Sequence, residues 1–114
     1  MPAPEQLSLV VFSCEVAKVH YAWMMAASSL AIGKRATLFF TGDAVRSLRG
    51  KSAPETEELI QACAQLGAKL MACEAGLIAA KLTRRDLRAD LDIAECGLVT
   101  FLNDCDPRGQ IVFI

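Results

Sequence analysis

Gly67-Ala68-Lys69-Leu70-Met71-Ala72-Cys73-Glu74-Ala75-Gly76 joins a short apolar run to helix-forming sequence, with a cysteine at the joint. Residues 68–72 are too few for a useful helix, follow a glycine, and read as a buried strand of a parallel sheet. Cys73 then stands at the strand's carboxyl end, and the ligand crevices of open α/β sheets lie outside those ends. A thiol at the mouth of a following helix gains thiolate character from the helix's positive end. The plainer role for a free cysteine is that of a small buried hydrophobe.

Upstream, Gln6 to Ser13 carries Leu7, Leu9, Val10, Val11 and Phe12 and reads as a central strand. Cys14 to Ile32 contains neither proline nor glycine and predicts a long helix stopped by Gly33. Val16, Val19, Tyr21, Trp23, Met24, Met25 and Leu30 make it apolar nearly all round. One face is therefore expected on the sheet and the other on a neighbouring subunit. Ala36 to Thr41 is the second strand, broken by Gly42-Asp43. Residues 44–53, with Arg46, Arg49 and Lys51, read as a solvated basic loop with room for one helical turn. Pro54, followed by Glu55, Glu57 and Glu58, opens a helix. Leu59, Ile60, Cys63 and Leu66 recur along it at helical spacing, which makes Cys63 a core residue.

Downstream, residues 74–81 form a short helix or turn. Thr83-Arg84-Arg85-Asp86 has the form of a capping box with aspartate in place of glutamate, and predicts a second short helix to about Leu91. Asp92-Ile93-Ala94 reads as a brief fourth strand. Leu98, Phe101, Leu102 and Cys105 recur at i, i+3, i+4 and i+7, favouring a helix where Leu98 to Leu102 would also pass for a strand. Asp106-Pro107-Arg108-Gly109 is a turn, Gln110 to Ile114 a closing strand, and residues 1–5 a frayed leader. The alternation predicts an α/β fold: a single three-layer, doubly wound domain with a mainly parallel five-stranded sheet. Cys14 follows the first strand as Cys73 follows the third, so a crevice opens between them if those strands are neighbours.

A chain of 114 residues suits one domain, and its 54% hydrophobic content predicts that some apolar surface meets another subunit. A net charge of −1 leaves no basic footprint for nucleic acid. Lys18, His20 and Ser28-Ser29 interrupt the longest apolar stretch, so no membrane span is expected. Met1-Pro2-Ala3-Pro4-Glu5-Gln6 lacks the positive segment of a secretory signal, and a cytoplasmic location follows. Cys14, Cys63, Cys73, Cys96 and Cys105 are odd in number and irregular in spacing, which argues against a disulfide framework and a zinc site. There is no GxGxxG or P-loop, so no cofactor is expected.

Several stretches resemble the DsrE/DsrF-like family of small sulfur-relay proteins, which includes the TusD-type subunits. Glu15-Val16-Ala17-Lys18-Val19-His20, followed by Ala31-Ile32-Gly33-Lys34-Arg35-Ala36-Thr37-Leu38-Phe39-Phe40-Thr41-Gly42, is similar to the family's first helix and second strand. Leu66 to Glu74 resembles its strand leading into the reactive-cysteine loop. Thr83-Arg84-Arg85-Asp86-Leu87 and Cys96-Gly97-Leu98-Val99-Thr100-Phe101-Leu102 are similar to its downstream segments. The resemblance implies a homotrimer or homohexamer whose active members carry sulfur as a persulfide on the cysteine matching Cys73, with sulfur donor and acceptor proteins as partners. It transfers no role to Cys96.

Cys73 is thus the candidate persulfide carrier and Cys14 the candidate second thiol on the same edge. His20, the sole histidine, is a candidate for assisting thiol deprotonation, or else a structural residue. Glu15 and Glu74, next to the two edge cysteines, suit helix starts. Arg46, Arg49 and Lys51 suit an anionic sulfur species such as thiosulfate, or simply a solvated loop. Three functional classes follow: a sulfur carrier or sulfurtransferase component, a non-catalytic oligomeric interaction module, and a nucleotide or flavin binder at the sheet's carboxyl edge.

Overall fold

The computed structural model describes residues 5–114. The leader expected over residues 1–4 lies outside them. Glu5 is not frayed: its carbonyl accepts a hydrogen bond from the Arg35 amide at 2.9 Å. Five strands, β1 (Gln6–Val11), β2 (Arg35–Phe40), β3 (Lys69–Cys73), β4 (Ile93–Cys96) and β5 (Gln110–Phe113), form one sheet. Its order is β4-β3-β2-β1-β5, and every neighbouring pair is parallel. The helices are α1 (Val16–Ala31), α2 (Pro54–Gln65), α3 (Glu74–Ala80) and α4 (Leu98–Asp104). The α/β reading holds, with a sheet that is parallel throughout.

Strand periodicity divides the side chains between two unequal cores. Leu7, Leu9 and Val11 of β1, Ala36, Leu38 and Phe40 of β2, and Leu70 and Ala72 of β3 join α1 and α2 in the larger one. There the Trp23 and Phe40 rings lie 5.6 Å apart. The alternate residues Phe39, Met71, Cys73 and Cys96 form a smaller core closed by Phe101 of α4. Gly33 and Gly67 end α1 and α2 at φ +86° and +87°, a conformation in which glycine carries no Cβ penalty.

Two local expectations are corrected. The segment after β2 is no solvated loop. Gly42–Leu48 winds as a 3-10 helix that buries Ala44, Val45 and Leu48 and leaves Arg46 and Arg49 outside. The capping box at Thr83 exists, with the Thr83 amide donating to Asp86 at 2.8 Å, but its helix stops at Asp86. Leu87 is already extended, because the Arg88 amide turns to the Leu48 carbonyl and its guanidinium to Glu57 and Asp90. In α4 the apolar spacing does mark a helix, yet of that stripe only Phe101 is fully buried, while Leu98 and Leu102 remain exposed.

Candidate active site

Cys73 is the last residue of β3 and the residue that caps α3, with extended backbone dihedrals and no capping hydrogen bond from its thiol. Leu70 and Ala72 point into the larger core, so Cys73 points the opposite way, towards α4. It packs with Phe39, Met71, Cys96 and Phe101 and retains 7% of its surface. Cys73 is also in register with Cys96, the last residue of β4. The two thiols therefore stand side by side on one face of the sheet, at its carboxyl edge.

The lid over this pair is α4, held at two points. The Phe101 ring stacks on Phe39 with centroids 4.7 Å apart. At the amino edge of the sheet, Asp104 accepts hydrogen bonds from Gln6 at 2.9 Å, from Thr37 at 3.3 Å and from Lys69. Burial alone would raise the Asp104 pKa, but the bonds from Lys69, Gln6 and Thr37 outweigh it and hold the carboxyl below its usual range. The Cys96 thiol moves in the other direction: burial is the main cause, and the nearby Cys73, Glu74 and Asp104 add to it against Lys69. Cys96 thus holds its proton more tightly than an ordinary thiol.

Cys14 and His20 belong to a different place. With Val16, Val19, Arg46, Lys51 and Thr56 they line a cleft of about 290 Å³ that does not include Cys73. Strand β2 separates β1 from β3, so the strands preceding Cys14 and Cys73 are not neighbours and the crevice expected between them does not form. Cys14 is exposed. The Nδ1 of His20 lies 2.7 Å from the Thr56 hydroxyl, a contact that ties α1 to α2. Lys51 and Arg46 line this cleft, giving it a cationic wall, while Arg49 lies outside it. Glu15 pairs with Lys18 at 3.5 Å, and Glu74 is an exposed residue of the first turn of α3.

The remaining cysteines have local partners. Cys63 is fully buried, its thiol faces the Trp23 carbonyl at 3.6 Å, and burial pushes its pKa to about 11. The Cys105 thiol donates to the Phe101 carbonyl at 3.3 Å. All five cysteines are free thiols, and among the described residues no group of three or more metal-ligating side chains converges.

Residues 11–106 match the DsrE/DsrF-like family. The chain belongs to that family. Its fold resembles a protein of unknown function, MTH1491 from Methanobacterium thermoautotrophicum, with a TM-score of 0.78 at 14% identity over 96% of this chain and 99% of that one. The protein BT1422 of unknown function from Bacteroides thetaiotaomicron gives 0.72 at 17% identity over 96% and 95%. The ychN protein from E. coli gives 0.64 at 10% identity over 97% and 99%. At such identities the likeness is one of fold. No curated protein matches the chain at a significant level.

Within this DsrE/DsrF-like fold, the residue that sequence reasoning passed over is Cys96. The expected strand, Asp92-Ile93-Ala94, stops short of it, whereas the ladder with β3 runs Leu70 to Ile93 through Cys73 to Cys96. The one available signal was the apolar Cys96 two residues beyond Ala94, on the same face of an extended segment. It gives no register, because register is decided by the partner strand.

Proposed function

We propose that this DsrE/DsrF-like protein is an intracellular sulfur carrier or sulfurtransferase component that passes sulfane sulfur as a persulfide on Cys73. The supporting observation is the position of that thiol, at the carboxyl end of β3 and just below the surface under a seven-residue helix. A relay thiol needs contact with a partner's sulfur and protection from bulk reductant. Burial suits the second demand, and a cover of only seven residues held at two points leaves a route to the first. In the reaction, Cys73 thiolate attacks the outer sulfur of a donor persulfide, the donor leaves as a thiolate, and Cys73 gains one sulfur. A TusD-type kinship, a homotrimeric or homohexameric assembly and a cytoplasmic location belong to the same proposal. No helix among the described residues is long and apolar enough to cross a membrane.

The test is incubation with a cysteine desulfurase and free cysteine, followed by intact-mass measurement of wild type and Cys73→Ser. The wild type gains the mass of one sulfur atom and the variant does not. Equal gain by both removes Cys73 from the role.

The second reading, a non-catalytic oligomeric interaction module, is favoured by one observation: Cys73 keeps only 7% of its surface, while α1 and β5 present an open apolar groove. Failure of Cys73 to load from any sulfane donor would leave that reading in its place. For the nucleotide or flavin reading, the carboxyl-edge cleft at Cys14 has a volume of about 290 Å³, just below the roughly 300–1,000 Å³ range of such pockets.

A further inference from the structure

We infer that Cys96 is the resolving thiol of Cys73, displacing a sulfur-bound group from it and closing a disulfide across β3 and β4. The inference rests on the sulfur-carrier reading for the nature of that group. It rests on geometry for the identity of the second thiol.

Cys73 and Cys96 are register partners on adjacent parallel strands and share one small cluster on the same face. Neighbouring strands run about 4.8 Å apart, within the roughly 4.4–6.8 Å that separates the Cα atoms of disulfides. Cβ atoms side by side at that spacing lie slightly beyond the roughly 3.5–4.5 Å of a disulfide, so the pair needs side-chain rotation and a small inward shift of the two strand ends to close. Both residues keep 7% of their surface, close beneath the exterior and sheltered from bulk solvent. None of the other cysteines is a register partner of Cys73, although Cys105 packs against the same small cluster. Cys14 faces the separate cleft beside His20, Cys63 lies in the larger core against Trp23, and Cys105 is bonded to the Phe101 carbonyl.

The chemistry balances without an external oxidant. The Sγ of Cys96 attacks the Sγ of a Cys73 persulfide. The bond between Cys73 and the sulfane sulfur breaks, a Cys73–Cys96 bond forms, and the sulfane leaves as hydrosulfide with the proton from Cys96. The sulfane sulfur is reduced to sulfide while the Cys96 sulfur is oxidised, and a low-molecular-weight thiol then reduces the disulfide to restore the pair. Resolution by Cys96 and direct hand-off to an acceptor compete for the same sulfur. The pair discharges sulfur that no acceptor collects.

The experiment loads wild type, Cys73→Ser and Cys96→Ser with inorganic polysulfide, removes the excess by desalting, and follows intact mass and released sulfide. Wild type is expected to lose its added sulfur as sulfide and end two hydrogens lighter, with the Cys73 and Cys96 peptides cross-linked. Cys96→Ser is expected to hold its sulfur at least about tenfold longer, because the intramolecular attack is gone. Equal persistence in both, without the cross-link, overturns the inference and leaves the carrier reading standing. A second arm uses 4,4′-dithiodipyridine, an aromatic disulfide that marks Cys73 as a mixed disulfide. In a Cys14→Ser background, which removes the exposed thiol, formation of the same cross-link, absent when Cys96→Ser is added, supports the pair even if polysulfide fails to load and the carrier reading falls. Absence of that cross-link with Cys96 present overturns the inference. Thermal melts of Cys96→Ser and Cys96→Ala confirm that the variants compared are folded.

Discussion

Phe101 stacks on Phe39 with ring centroids 4.7 Å apart and planes within 16°, and through this pair α4 covers Cys73 and Cys96. Phe101 has no exposed surface, whereas Leu98, Val99 and Leu102 of the same helix are more than half exposed. The lid therefore hangs on one ring and on the Asp104 anchor. Truncating a buried Phe to Ala costs about 3–5 kcal/mol, enough to threaten a small domain, so Phe101→Leu is the usable probe. It is expected to speed alkylation of Cys73 by iodoacetamide several-fold and leave Cys63, in the other core, unchanged. Peptide mass spectrometry after timed labelling reads both, and parallel acceleration at Cys63 would mean global loosening instead of a lifted lid.

Arg88 gives a second, purely structural prediction. Its guanidinium is 7% exposed as a residue and donates to both oxygens of Glu57 at 2.8 and 2.7 Å, and to Asp90 at 2.8 Å. The hydrogen bond from Arg88 lowers the Glu57 pKa against the cost of burial, and the same guanidinium holds Asp90 at about 2. Both carboxyls titrate lower folded than unfolded. Their contribution is complete above the ordinary carboxyl values of about 4. It fades as pH falls towards about 2, the folded value of Asp90. Arg88→Met is expected to lose about 1–3 kcal/mol at pH 7 and to show a flatter stability profile between neutral and acid pH. Urea melts across that range decide it; parallel profiles would show the network to be neutral.

The Cys96 thiol carries a pH prediction for the discharge step. Burial first, then Cys73, Glu74 and Asp104, raise its pKa, with Lys69 opposing. Resolution requires the Cys96 thiolate. Sulfide release from polysulfide-loaded protein should therefore keep rising beyond pH of about 8.5, the ordinary thiol value. Glu74→Gln removes one of the raising charges at an exposed site and should move the rise to lower pH. A release rate independent of pH would contradict this assignment.

Assembly is the fourth. The outer side of α1 exposes Tyr21 at 56% and Ile32 at 71%, and the edge strand β5 exposes Ile111 at 56%. Between them runs a groove of about 770 Å³ that Met24 and Met25 also line. Exposed apolar surface of this kind on a small domain favours association. Sedimentation velocity at micromolar concentration should show a trimer or hexamer, and Ile111→Lys should shift it towards smaller species. A monomer for the wild type would end this claim.

Much of the fold was legible because strands buried on both faces leave continuous apolar runs, as in Leu9 to Val11 and Leu38 to Phe40, and the two longest helices end on glycines at positive φ. What stayed hidden depends on contacts distant in sequence. The helix expected through Leu91 is undone by Arg88, whose partners Leu48 and Glu57 lie on other segments. The buried side of Gly42–Leu48 faces α3, where Gly76 lets the two backbones approach: a Cβ there would meet the Gly42 amide at 3.2 Å. At the site, Cys73 could be located on its strand from local pattern alone. Cys14 and His20 could not be separated from it without the strand order, and Cys96 could not be joined to it without the register.

The most direct test of sulfur carriage by Cys73 is cyanolysis of the loaded protein, since cyanide converts sulfane sulfur to thiocyanate and leaves ordinary thiols untouched. Cys96→Ser, in which discharge is blocked, is loaded with cysteine desulfurase and free cysteine, desalted and treated with cyanide. The account predicts one thiocyanate per chain, and none from Cys73→Ser combined with Cys96→Ser. Thiocyanate released equally from both proteins, or from neither, would contradict it.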